Sequence, residues 1–330
     1  MKLNKLFFVP LCAMLLTGCN TGGGSGKGGG GGGKKTTSPS TSEVYPVVEI
    51  ENGAHGYYDT NEYKLNEYVN SKKNLVSEIH KMMLDTHTKQ VRYAQFTYYT
   101  KQSTTQPHSI DQVDANTNKN EYFYTGKQTT FGASLTREHV WPCAKSNGMW
   151  VHSNYNDEKY HVDNTNYVGG GSDLYHVRPC TSSVNTARGD SRFIEFTEEE
   201  KANLIQATDG GSYALLCDST TFSQYSEPAD EFKGDVARII AYVYIHYCAI
   251  GDYGLSAWGD YLNRSLSIRD VIGRANATED EVYDQLIRWN EIDPPSETEK
   301  LRNDTVQPIQ GNRNPFVDYP HLMRSCFALY

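Results

Sequence analysis

Arg137-Glu138-His139-Val140-Trp141-Pro142 is followed, 36 residues beyond its His, by Tyr175-His176-Val177-Arg178-Pro179, and soon after by Val184-Asn185-Thr186-Ala187-Arg188. Together these stretches offer a carboxylate, an imidazole, a carboxamide and a guanidinium. Glu138 is a hard anionic oxygen ligand and Asn185 a neutral one. That pair suits Mg²⁺, which keeps several waters and takes few protein ligands beside a phosphate. His139 is the side chain whose ordinary pKa lies nearest neutrality, so it is the candidate general base for a water. The chemistry this points to is in-line hydrolysis of a phosphodiester, with the cation neutralising the charge that develops on the leaving side.

These groups must be positioned by the elements around them. Leu135–Val140 has the composition of a strand. Adjacent strand residues point to opposite faces, so Glu138 and His139 can serve one site only where the strand ends or bulges. Pro142 cannot donate to a ladder and makes an end there plausible. Asn185 and Arg188 are three apart and share a face if their stretch is helical, which would let Arg188 grip a phosphate bidentately. The alternative for Arg188 is a structural ion pair, and for Asn185 a helix cap. Asp173 reads as a residue that orders the site through hydrogen bonds, and His176 as a packed or supporting one. His152 and His161 read as solvated loop residues.

Elsewhere, Ser71–Thr86 and Lys233–Cys248 carry apolar residues at helical spacing. Thr278-Glu279-Asp280-Glu281 and Ser296-Glu297-Thr298-Glu299 are capping-box signatures that open two further helices. Val91–Thr100 and Glu121–Thr125, rich in aromatic and β-branched residues, read as strands. The polar run after Gly148 reads as a long loop closed by Gly169-Gly170-Gly171. Gln310–Pro315 has turn chemistry and reads as a clamp, with Arg313 alternatively at nucleic acid. The fold class expected is α+β, a mainly helical domain with a small β element carrying the motif.

The order of these blocks resembles the bacterial endonuclease I family of periplasmic and secreted nucleases. Arg137–Pro142, Ser172–Pro179 and Val184-Asn185 with Arg188 carry the resemblance. So do Glu227-Pro228, Lys233–Arg238, Trp289-Asn290 with Asp293-Pro294-Pro295, Arg302-Asn303 and Gln310–Asp318. It extends from about Tyr57 to about Leu322. It implies a ββα-metal (His-Me finger) site, with His139 as general base and Glu138 and Asn185 as ligands of Mg²⁺, for which Mn²⁺ or Ca²⁺ could substitute. It further implies a nuclease of low sequence specificity acting on DNA or RNA through the phosphate backbone and leaving 5′-phosphates. The chain departs from the family at Tyr175, where His is frequent. The alternative is a non-catalytic surface lipoprotein that binds partners on a nuclease-like scaffold.

Residues 1–19 read as a lipoprotein signal: Lys2 and Lys5, an apolar Leu6–Leu16 and then Leu16-Thr17-Gly18-Cys19, which resembles a lipobox and makes Cys19 the expected lipid attachment. An ordinary signal peptide cut nearby is the other reading. Both place the protein outside the cytoplasm, in the first case anchored to the membrane at Cys19. Residues 20–42 are Gly-, Ser- and Thr-rich and read as a flexible tether, leaving 43–330 as the catalytic domain. No protein partner is implied. Five of the 31 basic residues lie in the first 42 positions, which hold no acid, leaving 26 against 40 acidic ones. That balance of −14 disfavours binding to nucleic acid by bulk charge and requires a local basic patch and the metal. Five cysteines follow Cys19 (Cys143, Cys180, Cys217, Cys248 and Cys326) and no C-x-x-C spacing occurs, so a structural zinc ribbon is not expected. Cys143 and Cys180 are expected to lie near each other.

Overall fold

A computed structural model describes residues 57–328, apart from several short stretches and the longer segments 101–108, 152–167 and 248–266. The expected signal, Cys19, tether, Cys143, Cys248, His152 and His161 lie outside the described residues. Those that are described belong to one compact unit, Val47–Tyr330.

At its centre is a helix, α5 (Asp230–Tyr247), buried from Phe232 to Tyr247. Its apolar residues recur on every side of the helix, and its buried charges Lys233, Asp235 and Arg238 are paired, as a helix enclosed on all sides requires. Around it pack α1 (Lys72–Thr86), α6 (Glu279–Ile292), α8 (Pro315–Asp318) and α9 (Leu322–Phe327). The capping boxes behave as expected: Thr278 accepts from the Glu281 amide to open α6, and Ser296 from the Glu299 amide to open α7 (Glu297–Gln310). Gly234 marks where the end of α6 presses on α5. A Cβ there would lie 1.8 Å from the Asp293 carbonyl oxygen, so only glycine fits. Arg238, wholly buried, joins these helices through Glu299, Asn290 and the Asp293 carbonyl.

The β structure is small and divided, as an α+β fold requires. Lys119–Glu121 (β1) pairs with Gln128–Thr130 (β2), and Trp150–Val151 (β4) with Val168–Gly169 (β5). A four-stranded sheet has the order β7 (Arg192–Phe193), β10 (Tyr225–Pro228), β9 (Tyr213–Cys217), β8 (Ile205–Thr208), with only the β7–β10 pair parallel; the short α4 (Glu198–Lys201) lies between β7 and β8 in the chain. Thr136–His139 (β3) pairs antiparallel with Val177–Cys180 (β6), and β6 runs into α3 (Ser182–Arg188). This β3–β6–α3 unit carries the motif.

Two strand expectations are corrected. Tyr93–Gln95 is a 3₁₀ turn that continues into α2 (Phe96–Tyr99), where Phe96 and Tyr99 are buried. Aromatic residues prefer strands only where a neighbouring strand offers a surface, and here tertiary packing overrides that preference. Of Glu121–Thr125 only Glu121 is in a strand; the rest turns back toward the core, with Tyr124 at a left-handed φ of 71°. Cys217 and Cys326 are buried thiols.

Candidate active site

β3 stops at His139, as the Pro142 signal requires. In β3 the register sets Glu138 opposite Arg178 and His139 opposite Val177. Residues directly opposite share a face, so the two motif side chains begin on different faces of the ribbon.

Glu138 is buried and points into a polar pocket in the core. Tyr124 Oη donates to Glu138 Oε1 at 2.7 Å, and Arg188 Nε lies 3.4 Å from the same oxygen. Burial pushes the Glu138 carboxyl above its usual range, while Arg188 and the Tyr124 hydroxyl pull it back. Tyr124, which donates to Glu138, has a left-handed backbone. A bulky residue at positive φ is strained, and such strain persists where the surroundings enforce it. Here the enforcement is complete burial of the ring against Phe123 and Phe193.

His139 is half-buried. Its Nε2 lies 2.8 Å from the Gly171 carbonyl oxygen, its ring stacks on Tyr93 and its edge meets His176. A carbonyl can only accept, so Nε2 carries the proton and the lone pair of the neutral ring resides on Nδ1. Burial first, and His176 second, push its pKa down to about 3, opposed by the Gly171 carbonyl. His176 is held in turn: Nδ1 is 2.7 Å from the Gly170 carbonyl, and Nε2 accepts from the Trp141 amide at 2.9 Å. Its pKa also falls, to about 4, chiefly through burial. His176 thus staples the chain beyond β3 to the glycine turn that holds His139.

Asn185 sits in the middle of α3, half-buried. Its Nδ2 donates to the Arg137 carbonyl and to Thr136 Oγ1, each at 3.2 Å. Because the Arg137 oxygen must face the amide nitrogen, Oδ1 is turned away from the strand and is the atom offered as a ligand. α3 ends at Gly189, whose φ of 56° favours glycine, with its N–H on the Asn185 carbonyl. Arg188 is fully buried. It donates to the Val140 carbonyl at 2.6 Å and to the Gly189 carbonyl at 3.0 Å, and its guanidinium lies over the Phe193 ring. The structure therefore brings Arg188 to Glu138 and ties Asn185 to the strand just before Glu138, while His139 has its own set of partners.

Sequence reasoning missed Tyr124, Tyr93 and the carbonyls of Gly170 and Gly171. Only the Gly169-Gly170-Gly171 run could have signalled anything, since glycine permits close backbone approach. Arg313, weighed as a nucleic-acid contact, is buried on Asp318 and Asp304.

Residues 68–321 match the profile of the endonuclease I family. The chain belongs to the endonuclease I family. Among its relatives are an extracellular ribonuclease of Bacillus amyloliquefaciens, 31% identical over 217 residues (64% of this chain, 62% of that protein). An extracellular ribonuclease of Bacillus subtilis (strain 168) is 32% identical over 185 residues, 56% of this chain and 51% of that protein. The match thus spans between half and two thirds of each relative. The endonuclease I match takes in every element described here from α1 to α8, so the helical frame and the β3–β6–α3 unit belong to one family domain.

Proposed function

We propose that the protein is an exported, divalent-metal-dependent endonuclease that hydrolyses the phosphodiester backbone with little sequence preference. The observation that carries this reading is the tautomer of His139. The bond from Nε2 to Gly171 leaves Nδ1 as the basic nitrogen, at the end of the strand that also carries Glu138.

In this reading His139 Nδ1 takes the proton of the attacking water. The Gly171 carbonyl holds the ring and stabilises the imidazolium that forms. Glu138 and Asn185 Oδ1 would hold the cation, for which a hard two-oxygen donor set fits Mg²⁺, with Mn²⁺ or Ca²⁺ as substitutes. When bound, that cation supplies charge neutralisation on the phosphate and the leaving oxygen. Arg188 and Tyr124 orient Glu138 and keep it usable as an anion. This role replaces the phosphate contact expected of Arg188, because its guanidinium is fully buried against Glu138, Val140, Gly189 and Phe193. The products carry 5′-phosphates. Both DNA and RNA are substrates in this reading, and the names of the two Bacillus relatives support RNA.

The decisive experiment digests duplex DNA, single-stranded DNA and RNA with Mg²⁺, with and without EDTA, using the wild type and His139→Ala. Cleavage that requires the metal and falls by about 10²- to 10⁴-fold in the variant, with unchanged circular dichroism, is the expected result. Full activity in His139→Ala would remove the base assignment.

The leader supports export, and Leu16-Thr17-Gly18-Cys19 supports a lipid on Cys19 and a tether over residues 20–42. Cys19→Ser is expected to release the protein from the membrane fraction; unchanged membrane partition would discard the anchor.

A further inference from the structure

Far from the β3–β6–α3 unit in sequence, His87 caps the end of α1, and His246 lies near the end of α5. The fold brings both imidazoles to Asp173, and one ligand-capable atom from each of the three residues lies within 4.8 Å of the others. His87 Nδ1 is 2.9 Å from His246 Nε2 and 3.9 Å from Asp173 Oδ2. All three residues are at most 2% exposed.

We propose that His87, His246 and Asp173 form a structural transition-metal site, with Zn²⁺ as the fitting ion, distinct from the Glu138–Asn185 pair. Two imidazole nitrogens and one carboxylate oxygen are a borderline-soft set, which suits Zn²⁺ and not Mg²⁺. Bonds of about 2.0–2.1 Å in a tetrahedron put ligand atoms about 3.3 Å apart, so the 2.9 and 3.9 Å edges would change by about 0.4–0.6 Å; the third edge lies within 4.8 Å, and a water would fill the fourth position.

The carboxylate of the set is held in place. Tyr242 and Tyr247 hydroxyls donate to Asp173 Oδ2 at 2.6 and 2.5 Å, while the Tyr175 amide and Gln310 Nε2 hold Oδ1. Such outer partners orient metal ligands. All four donors are neutral, so they leave the buried carboxylate without a formal counter-charge. The nearby Arg302 is engaged by Asp111 and by the Leu174 and Val177 carbonyls. A dication among the three ligands supplies the missing charge. On binding, the proton in the His87–His246 hydrogen bond shifts by tautomer exchange to the other nitrogen of its own ring, so that His87 carries its single proton on Nε2 and His246 on Nδ1, and the neutral rings ligate through Nδ1 and Nε2. The ion would tie the end of α1, the turn before β6 and α5 into one cross-link.

The test uses the full chain, stripped with a strong chelator and reloaded with Zn²⁺ in buffer containing excess Mg²⁺. Bound zinc is measured by mass spectrometry of the metal after gel filtration, and Co²⁺ is substituted for its visible spectrum. About one zinc per chain, a thermal midpoint raised by several degrees and intense Co²⁺ bands of a tetrahedral site are expected. His87→Gln and His246→Gln should lose the zinc, and Asn185→Ala should keep it. Wild-type protein that retains no zinc overturns the site, as does zinc that survives both His variants. The wild-type measurements decide the matter even if a variant fails to fold. No readout depends on nuclease activity, so failure here leaves the catalytic reading intact.

Discussion

Glu138 is useful as a ligand only if it is anionic, and burial works against that. Two neighbours counter it, Arg188 at 3.4 Å and the Tyr124 hydroxyl at 2.7 Å. Removing the hydroxyl alone tests how much of this support is functional. Tyr124→Phe keeps the buried ring and deletes one donor to a buried carboxylate, a loss that costs about 1–3 kcal/mol. The expected outcome is Mg²⁺ affinity weakened about 10- to 100-fold, read as a higher metal concentration for half-maximal cleavage. An unchanged metal requirement would mean that Tyr124 serves packing alone. The roles proposed for Glu138, His139 and Asn185 rest on their residue types. Their partners were not, because Tyr124 and Gly171 are joined to them only through space.

α5 sets the position of everything else, and its contacts with α1 and α6 can each be probed. At Gly234 the α6 terminus comes so close that a methyl group would overlap the Asp293 carbonyl oxygen. Gly234→Ala should therefore cost about 1–3 kcal/mol, measured by urea unfolding, despite the usual gain of alanine in a helix. On the α1 side, His80 Nδ1 meets the Ile245 carbonyl at 2.6 Å, and burial lowers its pKa. A His held neutral in the fold binds fewer protons than in the unfolded chain at acid pH. The stability it contributes is then present above its ordinary value near 6.5 and is lost as pH falls below it. Stability of the wild type should accordingly rise more steeply with pH across the acid side of 6.5 than that of His80→Gln; parallel curves would exclude the linkage. At this scale the helices were readable, from apolar periodicity and capping boxes that depend only on near neighbours. The misread segments, Val91–Thr100 and Tyr122–Thr125, are short and aromatic, and their conformation follows from the packing around them.

Across the whole molecule, 26 basic residues face 40 acidic ones beyond position 42, so binding of a polyanion cannot rest on net charge. Local phosphate contacts release counterions, and screening extends only about 10 Å at 0.1 M salt. Cleavage efficiency on long nucleic acid should therefore fall steeply, about 10-fold or more, between 50 and 200 mM salt, while cleavage of a dinucleotide substrate changes little. Equal salt dependence for both would argue for binding without an extended phosphate track. The blocks that carried the family resemblance divide by purpose once placed in the fold. Glu138, His139 and Asn185 form the candidate site, whereas Gly234, Arg238, Arg302 and Gln310–Asp318 brace the helices and the turn before β6. The sequence by itself determined the family, the main helices, the strand end at His139 and the residue types on which the proposed metal-assisted hydrolysis rests, since each depends on local spacing or chemical identity. Only the tertiary structure decided which nitrogen of His139 is basic, that Arg188 serves Glu138, and that His87, His246 and Asp173 meet in the core. Those outcomes depend on hydrogen bonds between residues as many as 159 positions apart, a distance across which neither periodicity nor motif spacing carries information.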